Sequence, residues 1–201
     1  MIMIIGIDLD NTIINYDRAF LAAAKTLKMA DRAWNKKQLR NKVRQLPEGE
    51  AKWQALQKEV YGFRYLEAEI MPGFQEFLSA AAYARVKIFV VSHKTKYLFG
   101  DKAINLRNNM QKFLIQKGVL DEPLLKGNNI FFEDSRDRKI SRIKQLKCDF
   151  FIDDLLEVLS DNNFPEQTKR ILLSKDDPVD LFGEIICLPD WYAVTNFIFN
   201  R

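Results

Sequence analysis

The sequence contains few of the residues that build metal centres or disulfide frameworks. Its 201 residues include two cysteines, Cys148 and Cys187, and a single histidine, His93. One histidine excludes a histidine-based metal site within one chain, and no cysteine spacing is typical of a zinc site. Two isolated cysteines predict buried free thiols in a reducing compartment rather than a disulfide-stabilised fold.

Long apolar runs and glycine-rich phosphate loops are also missing. No stretch approaches the roughly 20 apolar residues that span a bilayer, and the N-terminal apolar run lacks the length and the basic start of a signal peptide. We therefore expect a cytoplasmic protein with no membrane partner. The sequence has no GxGxxG pattern and no Walker loop, so nucleoside triphosphate binding of those types is unsupported.

The composition is that of a globular chain. Apolar residues make up 47% of the sequence and charged residues 29%, and 201 residues suit one domain, or one domain with an insert. The formal net charge of +4 and the pI of about 9.0 mildly favour anionic partners. These values do not distinguish among metabolites, nucleic acid and a membrane surface as the anionic partner. Nothing in the sequence indicates a particular oligomeric state.

The first dozen residues carry the clearest chemical signal. An apolar run over residues 2–7 stops at Asp8, and Asp10 and Thr12 follow. The run predicts a central strand of a parallel sheet, and strand alternation points Asp8 and Asp10 the same way. Their carboxylates would lie where open α/β sheets bind ligands. Close carboxylates repel and need a cation or a shared proton, unless both residues only form a turn and a helix cap.

Residues 16–70 show helical spacing and no strand pattern. Helices are predicted at 16–30, 31–46 and 50–61, and the segment is interpreted as a helical insert. Nine lysines and arginines lie between Arg18 and Arg44, against the single acid Asp31. This basic stretch is either a solvated helix face or an electropositive lid over an anionic substrate.

Strands and helices alternate in the rest of the chain. A helix opened by Met71-Pro72-Gly73 leads to a buried strand at 86–91, which ends at Ser92, His93 and Lys94. Further strands are predicted at 128–132, 149–153, 170–173 and 184–188, with a turn at 176–178 and helices at 102–117 and 137–147. This alternation predicts an α/β fold with a doubly wound parallel sheet.

Two predicted helix starts carry polar residues. Asp101 either caps the helix at 102–117 or lines a site, and Asp134 and Ser135 are candidate caps for the helix at 137–147. Lys139 falls in the first turn of that second helix, with Lys144 as the rival basic residue more than a turn further on. The next strand stops at a second acidic pair, Asp153-Asp154.

Four segments in this order resemble the haloacid dehalogenase (HAD) superfamily. They are Asp8-x-Asp10-x-Thr12 after a strand, Ser92 at the end of a second strand, Lys139 at a helix start, and Asp153-Asp154 after a further strand. The resemblance implies a Rossmann-like core over residues 1–15 and 71–201, and an all-helical cap over 16–70. It also implies that the Asp8 strand lies between the strands that end at Ser92 and Asp153.

The same resemblance implies roles for these residues. Asp8 would be the nucleophile, Asp10 the general acid and base, Ser92 a phosphoryl ligand and Lys139 the cation that neutralises Asp8. Mg²⁺ would be held by the Asp8 carboxylate, the Asp10 carbonyl and an oxygen of Asp153 or Asp154. The expected substrate-binding residues are Asn11, Thr12, His93, Lys94 and Asp101.

The function implied is a Mg²⁺-dependent phosphatase for a small phosphorylated metabolite, such as a sugar phosphate or a nucleotide. A phosphomutase would use the same motifs and return the phosphoryl group to its product. A nucleic-acid end-phosphatase would agree with the basic pI, although a closing cap argues against a polymeric substrate. A catalytically silent binding module is the alternative outside enzymes. Asp10 argues against a dehalogenase, since dehalogenating members of the superfamily lack an aspartate there.

Overall fold

The structure is a computed structural model that describes residues 2–29, 34–99, 101–120, 125–175 and 184–200. Its strands are β1 Ile4–Ile7, β2 Ile14–Asn15, β3 Glu69–Ile70, β4 Lys87–His93, β5 Tyr97–Leu98, β6 Asp101–Asn105, β7 Ile130–Glu133, β8 Phe150–Asp153, β9 Lys169–Leu173 and β10 Ile185–Leu188. Its α-helices are α1 Asp17–Thr26, α2 Lys36–Arg44, α3 Gly49–Lys58, α4 Phe74–Tyr83, α5 Leu106–Gln116, α6 Arg136–Leu146, α7 Leu156–Leu159 and α8 Trp191–Phe199. A π-helical turn over Glu59–Phe63 continues α3, and short 3₁₀ turns cover Tyr65–Glu67 and Gly127–Asn129.

Six strands form one parallel sheet in the order β10-β9-β8-β1-β4-β7. Strand β1 lies between β8 and β4, with Ile7 in register with Ile152 on one side and Val90 on the other. The predicted doubly wound parallel sheet is therefore confirmed, as is the placement of the first strand between the strands that end at Ser92 and Asp153.

The core explains why β1 is central. Ile5 and Ile7 are fully buried, as expected for a strand covered on both faces. Gly6 lies between them because there is no room for a side chain. A Cβ atom at Gly6 would lie 2.5 Å from Cδ2 of Phe151 and 2.8 Å from Sγ of Cys148. Only glycine at this position leaves room for the Phe151 ring of the neighbouring strand β8.

The helix predicted at 102–117 begins later than expected. Residues 101–105 form β6, which pairs with β5 in an antiparallel ladder, so α5 starts at Leu106. The backbone N–H of Asn108 donates to Oδ1 of Asn105, and the predicted cap at Asp101 is therefore wrong. The β-branched and apolar residues near this boundary do not separate the two structures by periodicity alone. The predicted turn at 176–178, the last residue of the first predicted helix (residue 30) and residues 31–33 of the second lie outside the described residues.

The chain divides into two compact units. The first consists of Met1–Ile13, Ile70–Thr95 and Leu114–Arg201, and contains the parallel sheet. The second consists of Ile14–Glu69 and Lys96–Phe113. It holds α1 to α3 and the β5–β6 pair, which the sequence interpretation had left in the core.

Side-chain contacts explain why residues 96–113 belong to the second unit. Nζ of Lys58 lies 2.9 Å from Oδ2 of Asp101. Nδ2 of Asn109 donates to the carbonyl oxygens of Tyr61 and Gly62, at 2.9 and 3.2 Å. These contacts join two segments that are about 40 to 50 residues apart in the sequence, a pairing that local patterns do not encode.

Within the described ranges, none of the helices combines the length and the apolar composition that a bilayer crossing requires.

Candidate active site

Three neighbouring strands, β1, β4 and β8, end at the same edge of the sheet and bring polar residues together there. Asp8 follows β1 directly, and its N–H donates to the carbonyl oxygen of Ile152 at 2.9 Å. Ser92 lies near the end of β4 and is buried, and Asp153 is the last residue of β8. Parallel pairing brings these strand ends together, because the register of β1 with both neighbours aligns them.

Helix α6 brings a lysine to these carboxylates. It begins after Ser135, whose hydroxyl oxygen accepts from the N–H of Arg138 at 3.2 Å, as predicted for a cap. Lys139, in the first turn, is only 1% exposed. Its Nζ lies 2.6 Å from Oδ1 of Asp8 and 2.6 Å from Oδ2 of Asp153. The rival residue Lys144 is exposed on the same helix.

Burial and the charges of neighbouring groups both shift the pKa values of Asp8, Asp153 and Lys139. Desolvation raises the pKa of Asp8 to about 7, against the opposing effect of the Lys139 ammonium. Burial also raises the pKa of Asp153. For Lys139, burial disfavours the ammonium, but the carboxylates of Asp8 and Asp153 outweigh it and raise the pKa of the lysine. Lys139 therefore stays protonated. Its single positive charge faces two carboxyl groups, so it cannot balance two negative charges by itself.

Asp154, the second residue of the Asp153-Asp154 pair, contacts the loop after β1. Oδ2 of Asp154 accepts from Nδ2 of Asn11 at 3.3 Å, and Oδ1 of Asp154 accepts from the Thr12 hydroxyl at 3.4 Å. Asn11 adopts a left-handed backbone conformation with φ of +63°, which asparagine tolerates better than most residues. Asn11 and Thr12 thus hold a carboxylate in the site.

Asp10 has a cationic partner of its own. Oδ2 of Asp10 lies 2.6 Å from Nζ of Lys94, a side chain that is 6% exposed. The Lys94 N–H donates to the carbonyl oxygen of Glu133 at 2.9 Å, which fixes the residue just beyond the end of β4. The site therefore contains two buried lysines, one beside Asp8 and Asp153 and the other beside Asp10.

Comparison of the sequence matches no family model and no curated protein. Comparison of the fold matches solved structures over nearly their whole length. One is a candidate β-phosphoglucomutase from Thermotoga maritima, with 12% identity, 98% of each chain covered and a TM-score of 0.62. Another is a haloacid dehalogenase-like hydrolase from Streptococcus pneumoniae, with 11% identity, 98% of each chain covered and a TM-score of 0.60. A third is CbbY from Rhodobacter sphaeroides in complex with xylulose-1,5-bisphosphate, with 13% identity, 95% of each chain covered and a TM-score of 0.52.

The chain has the haloacid dehalogenase fold. In this HAD-type core, the four motif segments that the sequence analysis identified meet at one edge of the sheet. Lys139 joins the ends of β1 and β8 through Asp8 and Asp153, and Lys94 joins the end of β4 to the loop that follows β1.

The oxygen atoms at this edge of the sheet suit a hard divalent cation. Asp8, Asp153 and Asp154 each offer a carboxylate oxygen, and these three atoms lie within 4.8 Å of one another. Mg²⁺ prefers oxygen ligands of this kind, and it would add positive charge to a cluster in which Lys139 alone faces both Asp8 and Asp153. The donor set therefore fits the metal that the sequence predicts.

The roles of His93 and Asp101 in binding substrate stay predictions. His93 is exposed at the end of β4, in register with Glu133 of β7. Asp101 belongs to the second unit, where the hydrogen bond from Lys58 holds its pKa below the usual range of a carboxyl.

Sequence reasoning missed the pairing of Lys94 with Asp10. It placed Lys94 near the substrate because the residue follows Ser92, but it did not connect the lysine with the general acid. The sequence did contain one sign of this pair: Lys94 is a basic residue that follows the strand predicted to lie beside β1. Recognising the pair requires the register of β1 against β4, which the residue pattern does not supply.

Proposed function

We propose that this protein is a Mg²⁺-dependent phosphatase that hydrolyses a small phosphorylated metabolite through an aspartyl-phosphate on Asp8. The observation that carries the proposal is the surroundings of Asp8. Asp8 is 6% exposed and follows the central strand, and its carboxylate lies 2.6 Å from a buried ammonium and beside two further carboxylates. A structural aspartate at a strand end does not need this combination of groups.

In the first step, a carboxylate oxygen of Asp8 attacks the phosphorus atom. The new bond from Asp8 to phosphorus forms as the bond from phosphorus to the ester oxygen breaks, and Asp10 gives its proton to the departing alcohol. Lys139 offsets the repulsion between the Asp8 carboxylate and the phosphoryl oxygens. The hydroxyl of Ser92 is proposed to donate to one of those oxygens.

In the second step, Asp10 takes a proton from a water molecule, which attacks the phosphorus atom of the aspartyl-phosphate. The bond from phosphorus to Asp8 breaks, and inorganic phosphate and the free carboxylate result. Asp8, the Asp10 carbonyl, and Asp153 or Asp154 would hold Mg²⁺, which supplies positive charge to the phosphoryl oxygens when it is bound. The hydrogen bonds from Asn11 and Thr12 would hold the Asp154 carboxylate in place for binding the metal.

The proposed substrate class is a sugar phosphate or a nucleotide. The net charge of +4 favours an anion, and the fold is shared with CbbY, which was solved with a sugar bisphosphate. We also propose that helices α1 to α3 act as a cap that selects the substrate and excludes water. Exposed basic residues on α2, among them Lys37, Arg40 and Lys42, are candidates for attracting the anion.

A panel of phosphate esters tests this function. The purified protein is assayed with Mg²⁺ against para-nitrophenyl phosphate, sugar phosphates and nucleoside monophosphates, and the release of inorganic phosphate is measured. A reaction stopped by acid should leave the mass of one phosphoryl group on the peptide that contains Asp8, and Asp8→Asn should leave none. Turnover without this modification would contradict the aspartyl-phosphate route, and the absence of turnover on the whole panel would contradict the phosphatase.

A phosphomutase is the second candidate, because the same fold is found in the candidate β-phosphoglucomutase. In that reaction the phosphoryl group leaves Asp8 for a hydroxyl group of the sugar instead of water. Incubation with β-glucose 1-phosphate, followed by separation of the sugar phosphates, distinguishes the two. A phosphatase yields free sugar and inorganic phosphate, whereas a mutase yields an isomeric sugar phosphate.

A further inference from the structure

The partner of Asp10 is a buried lysine that directly follows strand β4. Lys94 is 7% exposed, and its backbone N–H is fixed to the Glu133 carbonyl at the end of the β4–β7 ladder. Its ammonium reaches back across the sheet edge to Asp10, whose side chain is 26% exposed. The partly solvated Asp10 carboxylate thus pairs with a side chain that is almost fully buried.

The two buried lysines serve different carboxylates. Nζ of Lys139 lies 2.6 Å from both Asp8 and Asp153, while Nζ of Lys94 lies 2.6 Å from Asp10. The proposed nucleophile and the proposed proton carrier are therefore oriented by separate cations, on helix α6 and at the end of strand β4 respectively. A change at Lys94 can alter the placement of Asp10 and leave the contacts of Lys139 in place.

We propose that Lys94 is a positioning residue that holds the Asp10 carboxylate where it exchanges a proton with the leaving group and the attacking water. This inference rests on the proposed phosphatase function and adds a residue to it. Proton transfer in such a step depends on placement of the donor within hydrogen-bond reach. A carboxylate at the start of a loop can rotate away, and the ion pair with Lys94 opposes that rotation.

The main alternative is that Lys94 binds the substrate directly, as the sequence analysis expected. The two roles predict different results when the leaving group is varied. A residue that acts through Asp10 matters most when the departing oxygen needs a proton. A residue that binds the phosphoryl group affects all substrates alike, and it continues to matter when Asp10 is disabled.

The kinetic experiment compares Lys94→Met, Asp10→Asn and the double variant with the wild-type protein. The substrates are phenyl phosphate and para-nitrophenyl phosphate, which are similar in size but differ in how much their leaving group needs a proton. Lys94→Met should lower kcat for phenyl phosphate by about 100-fold and for para-nitrophenyl phosphate by less than about 10-fold, and leave KM nearly unchanged. In the Asp10→Asn background it should cause no further loss.

Two further variants complete the set. Lys94→Arg, which keeps a cation, should recover part of the lost kcat for phenyl phosphate. Lys87→Met is the control, since Lys87 is exposed at the opposite end of the same strand and should leave both rates unchanged. Equal losses of kcat on both substrates, or a loss that persists in the Asp10→Asn background, would overturn the positioning role.

A structural measurement separates this proposal from the proposed function. In a crystal structure of Lys94→Met, the Asp10 side chain should adopt a different rotamer while Asp8 keeps its contact with Lys139. If Asp10 stays in place, the lysine does not position it and the inference fails, whatever the activity. If the wild-type protein hydrolyses none of the esters, the phosphatase proposal fails, and the rotamer of Asp10 alone decides whether Lys94 holds it.

Discussion

The indole Nε1 of Trp191 donates a 2.8 Å hydrogen bond to the carbonyl oxygen of Thr12, across 179 positions of sequence. Trp191 opens α8 and is 1% exposed, with its ring 4.8 Å from Phe74 and 4.7 Å from Phe77, between ring centroids. The last helix of the chain therefore fixes the loop that carries Asp10 and Asn11. The loop depends on a distant aromatic cluster as well as on its own strand.

Replacement of Trp191 by phenylalanine tests this support. The variant keeps an aromatic ring but loses the N–H, so the buried Thr12 carbonyl loses a donor. We expect the free energy of unfolding to fall by about 1–3 kcal/mol, measured by urea denaturation. The neighbouring Tyr192, which is 51% exposed, supplies the control, since Tyr192→Phe should have almost no effect. Similar losses of stability in the two variants would show that the indole hydrogen bond contributes little.

Replacement of Lys139 by methionine should be strongly destabilising at neutral pH. The variant leaves the carboxylates of Asp8 and Asp153 buried without their shared ammonium, and loss of one partner of a buried ion pair costs about 3–5 kcal/mol. Lys144→Met, on the exposed face of the same helix, should change the free energy of unfolding by less than about 0.5 kcal/mol. Equal effects of the two substitutions in chemical denaturation would argue against a buried cation at Lys139.

Residues next to strand ends were predictable because local patterns mark them. The run before Asp8, the run before Asp153 and the first turn around Lys139 are continuous segments. The resemblance to the HAD superfamily, and not these segments, implied that β1 lies between the strands that end at Ser92 and Asp153. The sheet order and Ser135 as a helix cap agree with the structure. Short apolar stretches bounded by polar residues mark strand ends and helix starts without any knowledge of distant contacts, but they do not encode the order of the strands in the sheet.

Features that depend on pairing between distant segments were not predictable. The start of α5 was placed too early, because the pairing of β5 with β6 draws Asp101–Asn105 into a strand. The contact of Lys94 with Asp10 depends on strand register, and that of Trp191 with Thr12 on the packing of the last helix. In each case the outcome depends on contacts between residues that are far apart in the sequence, and local patterns do not specify such contacts.

Replacement of Asp8 by asparagine should abolish turnover and preserve the fold. The amide has nearly the same shape, but its oxygen is a poor nucleophile and a weaker metal ligand. We expect kcat to fall by about 10³-fold or more in the phosphate-release assay. Far-UV and near-UV circular dichroism spectra should match those of the wild-type protein. A variant with near-normal kcat would rule out Asp8 as the nucleophile.

The metal-free protein should lose stability as the pH rises through neutrality, and Asp8 should contribute to this loss. Its pKa is raised from 3.8 to about 7 in the folded protein by burial. The folded state therefore binds this proton more tightly than the unfolded state does. The resulting stabilisation is fully present below about pH 4 and disappears as the pH rises through about 7.

Asp8→Asn isolates that contribution, because asparagine does not titrate. In the presence of a chelator, the free energy of unfolding of the wild-type protein should decline relative to that of Asp8→Asn between about pH 4 and about pH 8. The relative decline should be on the order of a few kcal/mol. A difference between the two proteins that is constant over this range would mean that Asp8 is ionised throughout.

Added Mg²⁺ should stabilise the protein through the acidic cluster. The oxygens of Asp8, Asp153 and Asp154 lie within 4.8 Å of one another, and a cation that binds only the folded state raises stability by mass action. At a Mg²⁺ concentration about 100 times the dissociation constant, the gain is about 2.7 kcal/mol. It should appear as a rise in Tm that increases with pH, because protons compete for Asp8.

Two variants test where the metal binds. Asp154→Asn should reduce this rise in Tm. Glu157→Gln should retain it in full, since Glu157 is exposed and lies just beyond the cluster. A rise of the same size in Asp154→Asn would place the metal away from Asp154, and no rise in the wild-type protein at millimolar Mg²⁺ would contradict a magnesium site in this cluster.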